Sequence, residues 1–370
     1  MASGSIRRVG VLTGGGDCPG LNAVIRAVVK TGIYQYGLEM VGIEDGYLGL
    51  IENRMHLMTP EEVSNILTVG GTVLGASNKA DPASFAVREG DRWVKRDVTE
   101  QVLDHCQQWQ LDALVIIGGD GTMAGAAGLI ERGLRLVGVP KTIDNDLPET
   151  DMTFGHDTAV ATATDALDKI HTTASSHHRV MVVEIMGRYA GWLALRAGVA
   201  SGADVILIPE IPFDMDVVSH KCLQRSKRGK RFTIIAAGEG AHTAGGKMIV
   251  DHVDEASPDP IRLGGIARYV AEEVEKRTGL ESRHIVLGHI QRGGTPTAFD
   301  RVLATMLAHH AVELLMEGRF GRLSVLRDGV VDSVPIEAIA GTIKTVPHDH
   351  PLVRAAKAVG TCFGDGDPST

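Results

Sequence analysis

The 370-residue sequence contains few aromatic residues and no long apolar segment. Aromatics make up 4% of the chain while glycine reaches 45 residues, which predicts an aliphatic core, many turns and an α/β protein with buried Val and Ile strands. No apolar run approaches the ~20 residues of a membrane span, and the N-terminal MASGSIRRVG holds no signal-peptide core. We therefore expect a cytoplasmic protein with no membrane partner.

Cysteine is also scarce, and its spacing excludes two common roles. The chain has no Cys-x-x-Cys pair, so neither a zinc site nor a disulfide framework is indicated; the four cysteines are Cys18, Cys106, Cys222 and Cys362. The net charge is −9, from 37 basic and 46 acidic side chains. This balance argues against a nucleic-acid partner but leaves room for a local basic pocket.

Short apolar runs recur along the chain and predict parallel strands connected by helices. Helical spacing of apolar residues predicts helices over 21–36 and 158–173. Ligands of such sheets bind beyond the carboxyl ends of the strands, so the turns after the strands are the candidate sites. The predicted strands end just before Gly14, Gly118, Pro140, Met186, Pro209, Gly238 and Gly288.

The first of these turns reads TGGGDCPGLN over 13–22. Backbone N–H groups of a glycine-rich loop can converge on phosphate oxygens, and the following helix N-terminus adds a favourable partial charge. The turn is neither a Walker A loop nor a GxGxxG fingerprint. Phosphate binding and a tight structural turn both remain open for this segment.

The second turn, IIGGDGTM over 116–123, embeds an acidic residue among glycines. Asp120 is suited to hold Mg²⁺ bound to a polyphosphate, because that ion prefers carboxylate oxygens. Thr122 has an alternative role as the cap of the next helix. The motif GGDGT occurs in several kinase families, so it favours a nucleotide or polyphosphate ligand without identifying the acceptor.

The third turn, VPKTIDNDL over 139–147, carries two carboxylates two positions apart. One of them can serve a metal or water, while the other accepts a proton from a substrate hydroxyl as general base. An Asx-rich loop would explain Asn145 and one aspartate but would not require Lys141 and Thr142.

With these motifs the sequence resembles the 6-phosphofructokinases. The motifs stand in family order: TGGGDCPGLN (13–22), GGDGT (118–122), PKTIDND (140–146), VEIMGRYAG (183–191), GEG (238–240) and LGHIQRGG (287–294). The tail over 347–365 resembles the longer bacterial subgroup. The resemblance implies two Rossmann-like α/β/α domains with mainly parallel sheets and an active site in the cleft between them. It assigns 1–155 plus about 291–340 to donor binding and about 156–290 plus 341–370 to fructose 6-phosphate binding.

The resemblance implies transfer of a phosphoryl group to the 1-hydroxyl of fructose 6-phosphate. Asp144 matches the base, Thr142 is expected to orient the phosphoryl group, and Arg188 is expected to stabilise its charge. Asp120 matches the position of the Mg²⁺ ligand. The residues expected to bind the sugar phosphate are Thr142, Asp144, Arg179, Met186, Gly187, Arg188, Glu239, Arg283, His289 and Arg292.

The resemblance also implies a homo-oligomer, dimer or tetramer, because Arg179 and Arg283 match positions that the family takes from the neighbouring subunit. Forked arginines suit a sugar-phosphate dianion. A non-catalytic regulatory subunit is a further alternative, but the chain retains Asp120 and Asp144.

The phosphoryl donor is ATP or pyrophosphate. Gly121 leaves room for the α-phosphate and ribose of ATP, where pyrophosphate users in the family usually have aspartate. Lys141 is more typical of pyrophosphate users, whereas Asn78 replaces a common donor-contacting arginine that Lys79 is placed to substitute. We expect ATP, with these donor-side residues: Gly15, Gly16, Asn78, Lys79, Gly119, Asp120, Gly121, Thr122 and Lys141.

Overall fold

The computed structural model describes residues 6–90, 92–253 and 260–366. The strands are β1 (Arg8–Thr13), β2 (Glu39–Ile43), β3 (Met55–Met58), β4 (Phe85–Glu89), β5 (Arg92–Arg96), β6 (Ala113–Gly118), β7 (Leu136–Pro140), β8 (Val180–Ile185), β9 (Val205–Leu207), β10 (Thr233–Gly238), β11 (Val250–Val253), β12 (Ile261–Leu263), β13 (Ser282–Val286), β14 (Arg322–Arg327) and β15 (Val330–Pro335). The helices are α1 (Leu21–Tyr36), α2 (Tyr47–Glu52), α3 (Thr99–Gln108), α4 (Asp120–Glu131), α5 (His156–His177), α6 (Trp192–Ala200), α7 (Met215–Lys227), α8 (Ile266–Thr278), α9 (Ala298–Met316) and α10 (Pro351–Ala358). Short 3₁₀ helices cover Gly288–Arg292 and Ile336–Ala338.

The larger sheet has seven strands in the order β15-β14-β7-β6-β1-β2-β3. Its central strands are parallel, while β15 and β3 add antiparallel edges. The chain leaves β1 for β2 on one side and later returns to β6 on the other side. This reversal of strand order opens a crevice at the carboxyl ends of β1 and β6, which is where sheets of this kind bind ligands.

The smaller sheet has four parallel strands in the order β13-β8-β10-β9. Strands β8 and β10 are buried along their whole length. The strand order again reverses at β8, since β10 and β13 lie on its two sides. The turns after these three strands therefore share one edge of the sheet.

An aliphatic core joins the two sheets. One buried cluster runs from Val11 and Val24 through Leu167 to Ile185 and Leu193, so it includes side chains of both sheets and of the helices between them. The main helix contact within it is between α1 and α9. No helix in the described parts of the chain is long and apolar enough to cross a membrane.

The structure confirms the predicted α/β class. Helix α1 has the predicted bounds, all seven predicted strands are present, and α5 extends the helix predicted over 158–173 at both ends. The larger sheet draws its strands from 8–140 and 322–335, and the smaller sheet draws its strands from 180–286. The domain boundaries at 155, 291 and 340 stay predictions.

Candidate active site

The three predicted turns lie side by side at the carboxyl edge of the larger sheet. Gly14 N donates to Ile117 O at 2.8 Å, and Lys141 N donates to Gly118 O at 2.9 Å. These bonds continue the pairing of β1, β6 and β7 into the turns that follow them. The sheet itself thus brings together residues far apart in sequence.

Two glycines are required here by the close approach of Thr122. A Cβ added at Gly14 would lie 2.6 Å from the Thr122 Cγ2, and one added at Gly118 would lie closer still. Thr122 is therefore buried between the first and second turns. Helix α4 begins at Asp120 with Gly119 as its N-cap and has no side-chain cap, so the alternative capping role of Thr122 is wrong.

The N-terminus of α4 is open on its outer side. A Cβ added at Gly121 would meet no atom within 4 Å. Gly119 and Asp120 are partly exposed beside it. The unpaired N–H groups of a helix start attract anions, so this end of α4 can receive a phosphate group.

Lys141 extends from the third turn into the first. Its side chain is only 4% exposed, and its ammonium donates to the carbonyl oxygen of Gly16. Burial lowers the pKa of Lys141, while the charges of Asp144 and Asp17 oppose this shift. The structure therefore places a buried cation against the glycine loop that includes Gly15 and Gly16.

The third turn is fixed by bonds to its own backbone. Asp144 N donates to the Thr142 hydroxyl oxygen at 3.0 Å, and the Thr153 hydroxyl donates to Thr142 O at 2.7 Å. Asn145 has a φ of 52°, in the left-handed region that asparagine tolerates. This conformation places Asp144 and Asp146 in the same cleft.

The two carboxylates are partly buried and electrostatically linked. One oxygen of each, Asp144 Oδ1 and Asp146 Oδ1, is buried and has no hydrogen-bond partner among the described residues. Burial raises the pKa of Asp144, and Arg292 opposes the rise. Burial also raises the pKa of Asp146, and the nearby charges of Asp144 and Asp120 raise it further. The unpartnered oxygens of Asp144 and Asp146 are therefore available to accept a proton, to accept a hydrogen bond from a hydroxyl or to bind a cation.

The carboxylates of Asp120, Asp144 and Asp146 suit a hard divalent cation whose coordination shell is completed by oxygens of a bound ligand. Asp120 lies close enough to Asp146 to raise its pKa, and the unpartnered oxygens provide coordinating atoms. Within 6–90, 92–253 and 260–366, no group of three His, Cys, Asp or Glu side chains could hold a metal ion by itself. Phosphate oxygens and water would therefore complete the coordination shell of Mg²⁺.

The turn after β8 faces the same cleft. Glu239 Oε1 accepts from Arg188 N at 2.9 Å, which fixes the segment containing Met186 and Gly187. Gly187 and Arg188 have φ values of 140° and 48°, so the backbone is held in conformations that favour glycine. Burial raises the pKa of Glu239. The positive charge of Arg188 in turn stabilises the Asp144 carboxylate.

Arg292 connects the two sheets. Its Nη1 donates to Asp17 O at 3.0 Å, and it is the charge that most lowers the pKa of Asp144. Gly16 lies directly under its guanidinium, since an added Cβ there would collide with Arg292. His289 is exposed on the same 3₁₀ helix.

Asn78 and Lys79 flank the first turn. Both are exposed, and the adjacent Ser77 accepts through its carbonyl oxygen from Gly15 N at 3.2 Å. The loop that carries them therefore borders the first turn.

Arg179 and Arg283 lie at the opposite end of the smaller sheet. Arg179 immediately precedes β8, whereas Met186 immediately follows it. Six residues of strand span about 20 Å, so these arginines are remote from Asp144 of the same chain. Both pair with Glu281 Oε1, at 2.8 Å for Arg179 Nε and 2.6 Å for Arg283 Nη2. Sequence reasoning missed Glu281, which no motif marks.

Two mainly parallel sheets that bring glycine turns, carboxylates and cations into one cleft define an α/β protein suited to phosphorylated ligands. The sequence model of the family described as Phosphofructokinase matches residues 8–315, and the chain belongs to that family. It is 47% identical to ATP-dependent 6-phosphofructokinase 2 of Clostridium perfringens over 97% of this chain and 99% of that protein. It is 46% identical to ATP-dependent 6-phosphofructokinase of Spirochaeta thermophila over 99% of this chain and all of that protein.

Solved structures show the same fold. Phosphofructokinase of Pichia pastoris in the T-state superposes with a TM-score of 0.77 and 31% identity; the match covers 91% of this chain but only 36% of that much longer one. A pyrophosphate-dependent phosphofructokinase of Nitrosospira multiformis gives a TM-score of 0.78 at 21% identity, covering 93% of this chain and 86% of that one. The second likeness concerns the fold alone.

Proposed function

We propose that the chain is an ATP-dependent 6-phosphofructokinase, which transfers the γ-phosphoryl group of ATP to the 1-hydroxyl of fructose 6-phosphate. The observation that carries this proposal is the Asp144 carboxylate, with its buried and unpartnered Oδ1, between the three turns and Arg188. Curated relatives that match over nearly their full length at 44–48% identity bear the name ATP-dependent 6-phosphofructokinase, which supports it.

Asp144 acts as the general base of the proposed reaction. Its Oδ1 has no hydrogen-bond partner among the described residues, so it is available to accept the proton of the attacking hydroxyl. A raised pKa increases the basicity of its carboxylate and so favours proton transfer near neutral pH. The Thr142 hydroxyl, fixed by Asp144 N, orients the phosphoryl group.

Cations on both sides of Asp144 stabilise the transferring group. Lys141 and Arg292 reach the first turn, and Arg188 approaches from the turn after β8. Charge on the equatorial oxygens of a loose transition state is stabilised by such preorganised groups. Asp120 would hold Mg²⁺, which when bound neutralises charge on the donor phosphates.

The proposed donor side comprises the three turns and the N-terminus of α4. The open space at Gly121 accommodates the α-phosphate and ribose of ATP. The buried Lys141 favours the second candidate, a pyrophosphate-dependent enzyme, because its ammonium can bind a terminal phosphate. We also propose the division into a donor part, 1–155 plus 291–340, and a sugar-phosphate part, 156–290 plus 341–370.

We expect fructose 1,6-bisphosphate to form with MgATP and not at a comparable rate with magnesium pyrophosphate. The product is measured by a coupled assay with each donor supplied separately. Activity with pyrophosphate alone would replace the proposed donor. Absence of activity with either donor would favour a regulatory subunit.

The neighbouring subunit of a homo-oligomer completes the proposed sugar-phosphate site. Arg179 and Arg283 lie too far from their own Asp144 to contact the same substrate. Both pair with Glu281, so together they form one group with two guanidiniums. A second copy that presents this group to the cleft would supply the forked donors that a sugar-phosphate dianion requires.

Mixing an Arg179→Ala variant with an Asp144→Ser variant is expected to restore activity that neither has alone. In mixed oligomers some sites combine an intact Asp144 with an intact Arg179 from the other chain, and in a dimer made of one chain of each variant one of the two sites is intact. Activity is measured after subunit exchange verified by differently tagged chains. No recovery after complete exchange would show that Asp144 and Arg179 belong to an active site formed within a single chain.

A further inference from the structure

A short segment near the C-terminus contacts the turn that carries Asp144. This segment, residues 343–346, is called the tail strap here. Lys344 N donates to Asp146 O at 2.6 Å, and Lys344 Nζ donates to Thr150 O at 2.8 Å. Lys344 therefore forms two hydrogen bonds to the segment 142–151, which carries Asp144 and is called the Asp144 turn below.

The tail strap also contacts the smaller sheet's side of the cleft. Lys344 O accepts from Trp192 Nε1 at 2.8 Å, and Val346 N donates to Glu210 Oε1 at 2.8 Å. The same Glu210 oxygen accepts from Gly191 N at 2.9 Å. Gly191 and Trp192 start α6 directly after the turn that contains Arg188, so the strap fixes the end of that turn.

The Lys344 side chain is partly buried between the two turns. Burial lowers the pKa of Lys344 to about 8, and Asp146 is the charge that most opposes this shift. The Trp192 ring centroid lies 5.7 Å from Nζ. Burial of a cation is costly unless polar partners compensate it, and the bond to Thr150 O and the charge of Asp146 do so here.

Other bonds also hold the Asp144 turn. In its earlier part, Thr142 O accepts from the Thr153 hydroxyl, and Ile143 O is bonded by His156 Nδ1 at 2.6 Å. In its later part, Asp151 N donates to Leu326 O of β14 at 2.7 Å, and Leu326 N donates to the Thr150 hydroxyl oxygen. Loss of the ammonium would remove one of the long-range bonds of this later part, while the earlier part stays fixed.

We propose that Lys344 is a positioning residue that keeps the Asp144 turn and the Arg188 turn in register across the cleft. Through Lys344 the tail strap joins Asp146 and Thr150 to Trp192, and through Val346 it joins Glu210 and Gly191. The effect on catalysis rests on the proposed function. The bonds themselves do not depend on it.

Lys344→Met tests the proposal because methionine keeps the stem and the backbone bonds but removes the ammonium. We expect kcat to fall about 10- to 100-fold, since small misplacements of reacting groups have effects of this size. We expect KM for both substrates to change less than about threefold. Hydrogen exchange of the amides over 142–151 should become faster in the variant, measured with or without substrate.

Lys221→Met is the matched control, because Lys221 Nζ also donates to a backbone carbonyl, Gly360 O, at 2.8 Å but lies outside the cleft. It should leave kcat and exchange over 142–151 unchanged. In an Asp144→Ser background, Lys344→Met should add less than about a twofold loss of kcat, because residues that act as a unit are not additive.

A kcat of Lys344→Met within about twofold of the wild type would overturn the positioning role, as would a full additive loss in the Asp144→Ser background. If Lys344→Met fails to fold, Trp192→Phe removes the bond to Lys344 O together with part of a buried ring, and it should lower kcat in the same direction. Unchanged kcat there would count against the proposal. If the wild type lacks kinase activity, the proposed function fails, and unchanged exchange over 142–151 would separately refute the anchoring.

Discussion

Replacing Asp144 with serine is expected to lower kcat at least ~10²-fold while fructose 6-phosphate still binds. Serine cannot act as the base for the 1-hydroxyl, and the neighbouring cations proposed to bind phosphate remain. The buried Oδ1, which has no hydrogen-bond partner among the residues described, is the proposed proton acceptor that the variant loses. Steady-state kinetics give kcat, and calorimetry with the sugar phosphate gives binding.

Glu149→Gln is the control for Asp144→Ser. Glu149 is an exposed carboxylate on the same loop, paired with Arg327 at 3.0 Å, and should tolerate the change. Near-normal turnover of Asp144→Ser would remove Asp144 as the base.

The kcat/KM of the wild type should also depend on pH. It should decline on acidification at a pH above the usual aspartate range, because burial raises the pKa of Asp144 and the base is lost when it is protonated.

Gly121→Asp is expected to lower kcat/KM for ATP about 10²-fold, since an unfavourable like-charge contact costs several kcal/mol. The new carboxylate would occupy the open space in the first turn of α4, where the proposed site places the α-phosphate. An acidic residue at a helix N-terminus is favourable, so the variant should fold. Initial rates at varied ATP and at varied pyrophosphate measure the effect.

Gly128→Asp provides the comparison. Gly128 lies in the same helix, and a Cβ there also meets no atom within 4 Å, but it is two turns from the helix start. This control should keep kcat/KM for ATP close to the wild-type value. An equal loss in both variants, or an unchanged value in Gly121→Asp, would mean that the donor does not pass over the N-terminus of α4.

The parallel part of the fold was predictable because its signals are local. Most buried strands are apolar runs that end at or shortly before glycine or proline, and α1 begins after a glycine turn and is followed by Gly37, which caps it in the left-handed conformation. The hairpin of β14 and β15 was not predicted, because its exposed residues break the apolar pattern. The expectation that Asp144 and Arg188 share one cleft came from the resemblance of their motifs to those of the family.

Other parts of the site depend on contacts that sequence spacing does not show. Thr122 resembles a capping residue, but tight packing against two glycines buries it inside the first turn of α4. Lys344 lies in a segment without helical or strand periodicity, and its partners are Asp146 and Thr150, almost two hundred positions earlier. These contacts form only when folding brings together residues that are far apart in the sequence.

Strand β8 sets a fixed distance between the chain segments at its two ends. Arg179 stands before its first residue and Met186 after its last, and the strand is buried between β13 and β10 over all six residues. In an assembly that shares sites as proposed, one subunit contributes to two reaction centres from the two ends of this strand. The two reaction centres would then be held about 20 Å apart, because a buried six-residue strand neither stretches nor bends readily. Movement of the sugar-phosphate clamp in one centre would be transmitted mechanically to the phosphoryl-transfer groups of the next.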